Sequence, residues 1–147
     1  MRDIRLLTAA FDPGQFVGAF TQANRGLGGI CTFVGEVRGE GGVEGLELSH
    51  YEPLTLPGMH DLADSALARF DLMGLMMLHR VGVLHPGEPI VCVSAAAKHR
   101  RAAIEAVDFA MDHLKSAAWF WKREKRRGEW HWIEPRGEDH ADLARWR

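Results

Sequence analysis

Cysteine is nearly absent from this chain, with two in 147 residues, Cys31 and Cys92. Each lies in an apolar, strand-like run, and no CxxC or Cys/His ligand spacing occurs. That scarcity excludes a disulfide-stapled scaffold, and both thiols read as reduced core residues suited to a reducing cytoplasm. Sequence alone does not fix their separation, so a bridge between them stays untested at this level. No run of about 18 apolar residues exists, so no membrane-spanning helix is expected. Residues 1–10 carry Arg2, Asp3 and Arg5 without a long apolar stretch, so no signal peptide is expected. Strong charge of one sign is also missing. The formal net charge is -2, so any anion site must arise from local clustering of cations.

Several catalytic signatures are lacking too. The eight histidines form no HExxH and no ligand pairing, so no metal and no cofactor are expected. Neither a GxSxG nor a Walker A sequence is present. Gly26, Gly28 and Gly29 precede a strand-like run instead of opening a helix, which rules out a dinucleotide-binding fingerprint. Internal repeats and low-complexity linkers are absent. What remains, 46% hydrophobic and 26% charged residues in this length, suits a single domain, residues 1–147, with one core.

Periodicity orders the chain. Residues 4–9 read as a strand, and 13–24 as a helix opened by Asp12 with Pro13 at its first position. Residues 30–37 and 43–51 read as a hairpin around the glycine turn at Gly39, Gly41 and Gly42. Residues 57–70 place Met59, Leu62, Ala63, Ala66, Leu67 and Phe70 on one helical stripe. Strands follow at 74–83 and 89–96, joined by the turn His85-Pro86-Gly87-Glu88. Residues 98–116 give the best helix. Ala103, Val107, Ala110, Met111 and Leu114 share one face, while Arg101, Glu105, Asp108 and Asp112 share the opposite, polar one. A last hairpin is expected at 119–125 and 129–134 around Arg127-Gly128, and a short helix at 139–146. Hairpins separated by helices imply an α+β domain with antiparallel or mixed sheets and two main helices.

Chemistry concentrates in residues 115–127, where six cations interleave with three aromatics. Lys115 ends the long helix, where the negative end of the dipole favours an ammonium. Lys122 points to the strand face opposite Trp121 and Arg123. If that strand folds back on the helix end, the two lysines converge and their pKa values fall. A lysine tuned in this way serves as a nucleophile or proton-transfer group. The same stretch also reads as a solvated basic strand with aromatics in the core. A third reading is a small single-stranded RNA-binding module that stacks bases on Trp119 and Trp121. His99 and Arg100 open the long helix, whose free N–H groups suit a phosphate; equally, they decorate an exposed first turn. Arg38 follows a strand at a glycine turn. Strict alternation puts it on the face opposite Phe33, and they share a pocket only if Gly35 or the strand end breaks the period.

Seven segments in order resemble one family: 32–38, 50–51, 79–88, 94–100, 111–115, 120–124 and 132–136. The family is the large, catalytic subunit of molybdopterin synthase. The resemblance implies an α/β hammerhead fold and a homodimer within a heterotetramer. Each large subunit would bind a small ubiquitin-like sulfur carrier ending in Gly-Gly. A thiocarboxylate on that tail would supply sulfur to cyclic pyranopterin monophosphate, giving the dithiolene of molybdopterin. By matched position, the resemblance makes Lys115 and Lys122 catalytic. Phe33, Arg38 and Met111 would line the pocket. His99, Arg100 and Arg136 would bind substrate, supplied from the neighbouring large subunit. Two departures stand out. Residues 52–56 look like an insertion that lengthens a loop before the helix, and Trp119 stands near a position where the family commonly has proline.

Overall fold

The computed structural model describes residues 1–117, 119–134 and 136–146, so Pro135 of the 132–136 segment lies outside the described residues, as do Ala118 and Arg147. The elements run β1 (Arg2–Leu7), α1 (Pro13–Ala23), β2 (Gly29–Glu36), a 3-10 turn at Glu40–Gly42, β3 (Val43–His50) and α2 (Glu52–Arg69). They continue with β4 (Gly74–Arg80), β5 (Gly82–Leu84), β6 (Pro89–Ala97), α3 (Arg100–Ser116), β7 (Phe120–Arg126), β8 (Glu129–Ile133) and α4 (Gly137–Ala144). The first sheet has the order β1-β4-β6-β2 and the second β5-β3-β7-β8. Only the β1–β4 pair is parallel, so the sheets are mixed and antiparallel, as the alternation of hairpins and helices implied.

The first sheet is covered on both faces. Leu75, Met77, Val91, Val93 and Ala95 pack under α2 and α3, while Met76, Leu78, Cys92 and Ala96 pack on the other side against Phe20 of α1. Every residue of β4 is therefore buried, which is why Leu75, Met76, Met77 and Leu78 follow one another without polar alternation. A smaller cluster of Val37, Leu46, Leu48 and Leu84 lies beneath the second sheet. Cys31 pairs with Ala95, whereas Cys92 pairs with Val34. Three strand positions, about 10 Å, thus separate the two free thiols along the ladder, too far for a bridge.

Strand partnership differs from the sequence reading. β2 and β3 do not form a hairpin. β2 pairs with β6 in the first sheet, and β3 crosses into the second to pair with β5 and β7. Gly41 and Gly42, at φ 67° and 77°, turn the chain out of one sheet and into the other. The expected strand 74–83 likewise splits. Gly82 at φ 100° breaks it, sending β4 and β5 to different sheets. The last hairpin forms as expected, with Arg127 and Gly128 both at positive φ in the manner of a type I′ turn.

The helices also shift. α2 begins at Glu52, so residues 52–56 are its opening turn and not a longer loop, and Pro57 sits inside the helix. Pro53 holds the proline position at the helix start, whereas Pro57 forgoes the bond its amide would have donated to the Pro53 carbonyl. α3 begins at Arg100, with His99 in the cap position. Its supposed solvent face is partly covered, because α4 folds back on it. Asp112 is buried there. Its carboxylate accepts from Trp146 Nε1 at 2.7 Å and from the Arg145 guanidinium. The Trp146 ring meets Phe70 and Phe109 edge-on, with centroids 6.1 and 5.4 Å away. Arg69 donates to the Trp146 carbonyl at 2.9 Å. Trp146→Ala removes the ring and leaves Asp112 short of a donor. It should lower unfolding stability by about 2 kcal/mol, less than for a fully buried tryptophan. A urea midpoint unchanged from the parent would show that α4 is not held this way.

Candidate active site

Two adjoining cavities of about 460 and 450 Å³ open between the sheets, and Arg38, Lys115, Lys122 and Arg136 line both. Their position follows from the crossing of the chain between sheets. The end of β2 and the start of β6 form one wall, β3 and β7 the other. The last turn of α3 and the segment leading into α4 close the side. Even-numbered residues of β7, Lys122, Glu124 and Arg126, face the first cavity. Odd-numbered residues face away: Trp121 is exposed, and Arg123 forms a two-bond fork with Glu47 at 2.7 and 3.1 Å.

Phe33 and Arg38 meet in the second cavity. The ladder register slips between Gly35 and Glu36, which breaks the alternation that would have kept them apart. Glycine is required at 35, because a Cβ there would stand 2.9 Å from a Val91 methyl and 3.3 Å from the Phe33 ring. Met111, on the inner face of α3, lines the same cavity.

Not every cation is available to an anion. Arg126 is held by Glu124 at 2.8 and 3.0 Å and by the Gly41 carbonyl. Arg136 leans on Glu138 and Asp139 at 3.7 and 3.8 Å. Among the described residues, Arg38, Lys115 and Lys122 have no carboxylate within ion-pair distance. The Lys122 ammonium is pushed below the ordinary lysine range, first by burial and then by the positive charge of Lys115; Asp139 opposes this and Arg136 adds to it. Mutual repulsion of the pair, read from spacing, is thus present at Lys122.

His79, to which the sequence reading gave no role, lines the second cavity. It is buried, stacks on Phe120 with centroids 3.9 Å apart, and bonds the Arg80 carbonyl through Nδ1 at 2.9 Å. A carbonyl only accepts, so Nδ1 carries the proton and Nε2 keeps its lone pair. Burial lowers its pKa to about 4, and the charges of Lys122 and Lys115 act the same way. The imidazole is neutral beneath the lysines. Its position within the 79–88 segment was visible in the sequence; its burial was not.

His99 and Arg100 line neither cavity. They sit at the start of α3, with Arg100 fifteen residues before Lys115, or about 22 Å along the helix. Arg136 departs from the expectation of a neighbour's residue, since it reaches its own chain's cavities through the fold-back of α4. Among the described residues, no group of three histidines, cysteines or carboxylates could hold a metal ion. The RNA-binding alternative is not supported. The cations of β7 divide between two faces, and Trp119 packs on the core, so the described residues form no continuous basic, aromatic track.

A model of the family described as MoaE protein matches residues 6–117. The chain belongs to the MoaE family. It is 43% identical to the molybdopterin synthase catalytic subunit of Caulobacter vibrioides, over 97% of this chain and 96% of the relative. Identity to the Pseudomonas aeruginosa protein of the same name is 44%, over 97% of each chain. The solved MoaE structure from Burkholderia ambifaria superposes with a TM-score of 0.84 at 38% identity, covering 99% of this chain and 98% of that one. A complex of subunits 1 and 2 of molybdopterin-converting factor from Helicobacter pylori shares the fold, with a TM-score of 0.78 at 23% identity and coverage of 90% and 91%.

The burial of His79 sets a pH dependence. Its folded pKa, about 4, lies below the ordinary 6.5, so the unfolded chain binds a proton that the folded chain refuses. The stability it contributes is complete above about pH 6.5 and is lost as pH falls towards 4. NMR titration of the His79 ring should give a midpoint near 4. A midpoint at the ordinary value would place the ring in water.

Proposed function

We propose that this chain is the catalytic subunit of a molybdopterin synthase, a sulfurtransferase, and that residues 1–147 make one domain. A small ubiquitin-like carrier with a thiocarboxylated Gly-Gly tail is its partner, and cyclic pyranopterin monophosphate its substrate. The observation that carries this reading is the convergence of Arg38, Lys115 and Lys122 in cavities lined by both sheets. The names of the closely similar relatives support it, and the Helicobacter pylori complex supports a two-subunit assembly.

The chemistry suits the place. A thiocarboxylate and a phosphate are both anions, and three cations without a carboxylate partner among the described residues attract them. Replacing oxygen by sulfur on the pterin side chain requires protons to move and oxygen to leave, which positioned lysines assist. Burial makes Lys122 readier to release its proton than a solvated lysine. Lys115, exposed towards the cavity mouth, meets the incoming tail. Phe33 and Met111 supply apolar walls that hold the tail and exclude water. His99 and Arg100 reach a cavity only from a second copy, so a homodimer within a heterotetramer completes the site, with Arg136 acting from its own chain. No helix among the described residues is long and apolar enough to cross a membrane, and two free thiols fit a cytoplasmic enzyme.

Lys115→Ala should retain fold and carrier binding and lower dithiolene formation roughly 10²-fold or more, measured with thiocarboxylated carrier and pterin precursor. Near-parental turnover would remove the catalytic role. Arg100→Ala should chiefly weaken substrate binding. If it acts from the neighbouring copy, mixing Arg100→Ala with Lys115→Ala protein should regain part of the activity. A mixture as inactive as its components would place Arg100 outside the shared site.

A further inference from the structure

Trp119 stands immediately before β7, the strand that carries Lys122 to the cavity shared with Lys115. Trp119 is gripped by α2 in two ways. The Thr55 hydroxyl donates to the Trp119 carbonyl at 2.9 Å and accepts the Tyr51 amide at 3.3 Å. Thr55 is completely buried, so this one hydroxyl ties the end of β3, the opening turn of α2 and the entry to β7. Three residues on, Gly58 faces the indole. A Cβ at Gly58 would stand inside the Trp119 ring's van der Waals surface, against Cε2, Nε1 and Cζ2. The next residue, Phe120, stacks on His79 and pairs with His50, after which Lys122 pairs with Leu48.

Thr55 lies within residues 52–56, and Trp119 is the other place where the sequence departs from the expected pattern. The two departures touch one another, and Gly58 gives the bulky ring its room. We propose that Thr55, Gly58 and Trp119 form a clamp that fixes the entry to β7 and thereby positions Lys122 against Lys115 in the cavity. All three are positioning residues, because they act through Lys122. The catalytic consequence rests on the role proposed above for the lysines; the positional one does not.

The test uses the full chain with three substitutions, Thr55→Val, Thr55→Ser and Gly58→Ala. Valine keeps the shape of threonine and removes the hydroxyl, while Gly58→Ala attacks the same contact from the indole side should Thr55→Val fail to fold. Two quantities are read: the NMR titration of the Lys122 side chain, and turnover across pH with thiocarboxylated carrier and cyclic pyranopterin monophosphate. Thr55→Val and Gly58→Ala should move the Lys122 titration up towards the ordinary lysine range. They should also lower kcat about tenfold or more, the scale of a displaced reacting group, with KM largely unchanged. Thr55→Ser should restore both. Variants that melt earlier yet keep the parental Lys122 titration and kcat would overturn the clamp. If Lys122→Ala alone retains turnover, the catalytic reading fails, and the Lys122 titration in Thr55→Val still decides the clamp.

Discussion

Two ammonium groups held in one partly enclosed space repel each other, and loss of water strengthens the repulsion. The rest of this architecture is arranged around that conflict. Lys115 lies in the last turn of α3, where the carbonyl-rich terminus offers negative potential. β7 folds back beside it and carries Lys122 on its inner face. Asp139, at the start of α4, offsets part of the charge on Lys122. Neutral His79 below adds no further cation. Among the described residues the site therefore keeps positive charge without a carboxylate partner, as the proposed anionic tail and substrate require. A carboxylate paired to each lysine would cancel that charge.

Such a site needs mechanical support. The Asp112, Arg145 and Trp146 cluster straps α4 to α3 and brings Arg136 and Asp139 to the cavity. Thr55 and Gly58 hold the entry to β7, at Trp119. Both supports join residues far apart in the chain, and both bury a polar group that is then satisfied. Buried, satisfied polar contacts fix one arrangement because each alternative leaves a donor or acceptor unpaired.

Legibility varied with the range of the interaction. Asp12 and Pro13 announced α1, and the Asp12 carboxylate does accept from the Gly14 amide at 2.9 Å. Arg127-Gly128 announced the last turn. The apolar stripe of α3 was readable, yet Asp112, placed on its polar face by period alone, is covered by α4. The start of α2 was misread because Pro57 resembles a helix opening, whereas Pro53 holds that place and Pro57 lies inside the helix. Alternation identified β2 and β3 as strands without revealing that each pairs in a different sheet.

The sequence by itself determined roughly where the helices and strands lie, the scarcity of cysteine and the residue types of the site. These depend on period, caps and turn chemistry, which act within a few residues. Tertiary structure alone decided that Phe33 and Arg38 share a cavity, through a one-residue slip at Gly35. It alone buried His79 and drew Arg136 to its own chain's cavities. Those outcomes depend on which strand pairs with which and what covers each face. Such choices are settled by packing across the whole core, where distant segments compete for the same surfaces.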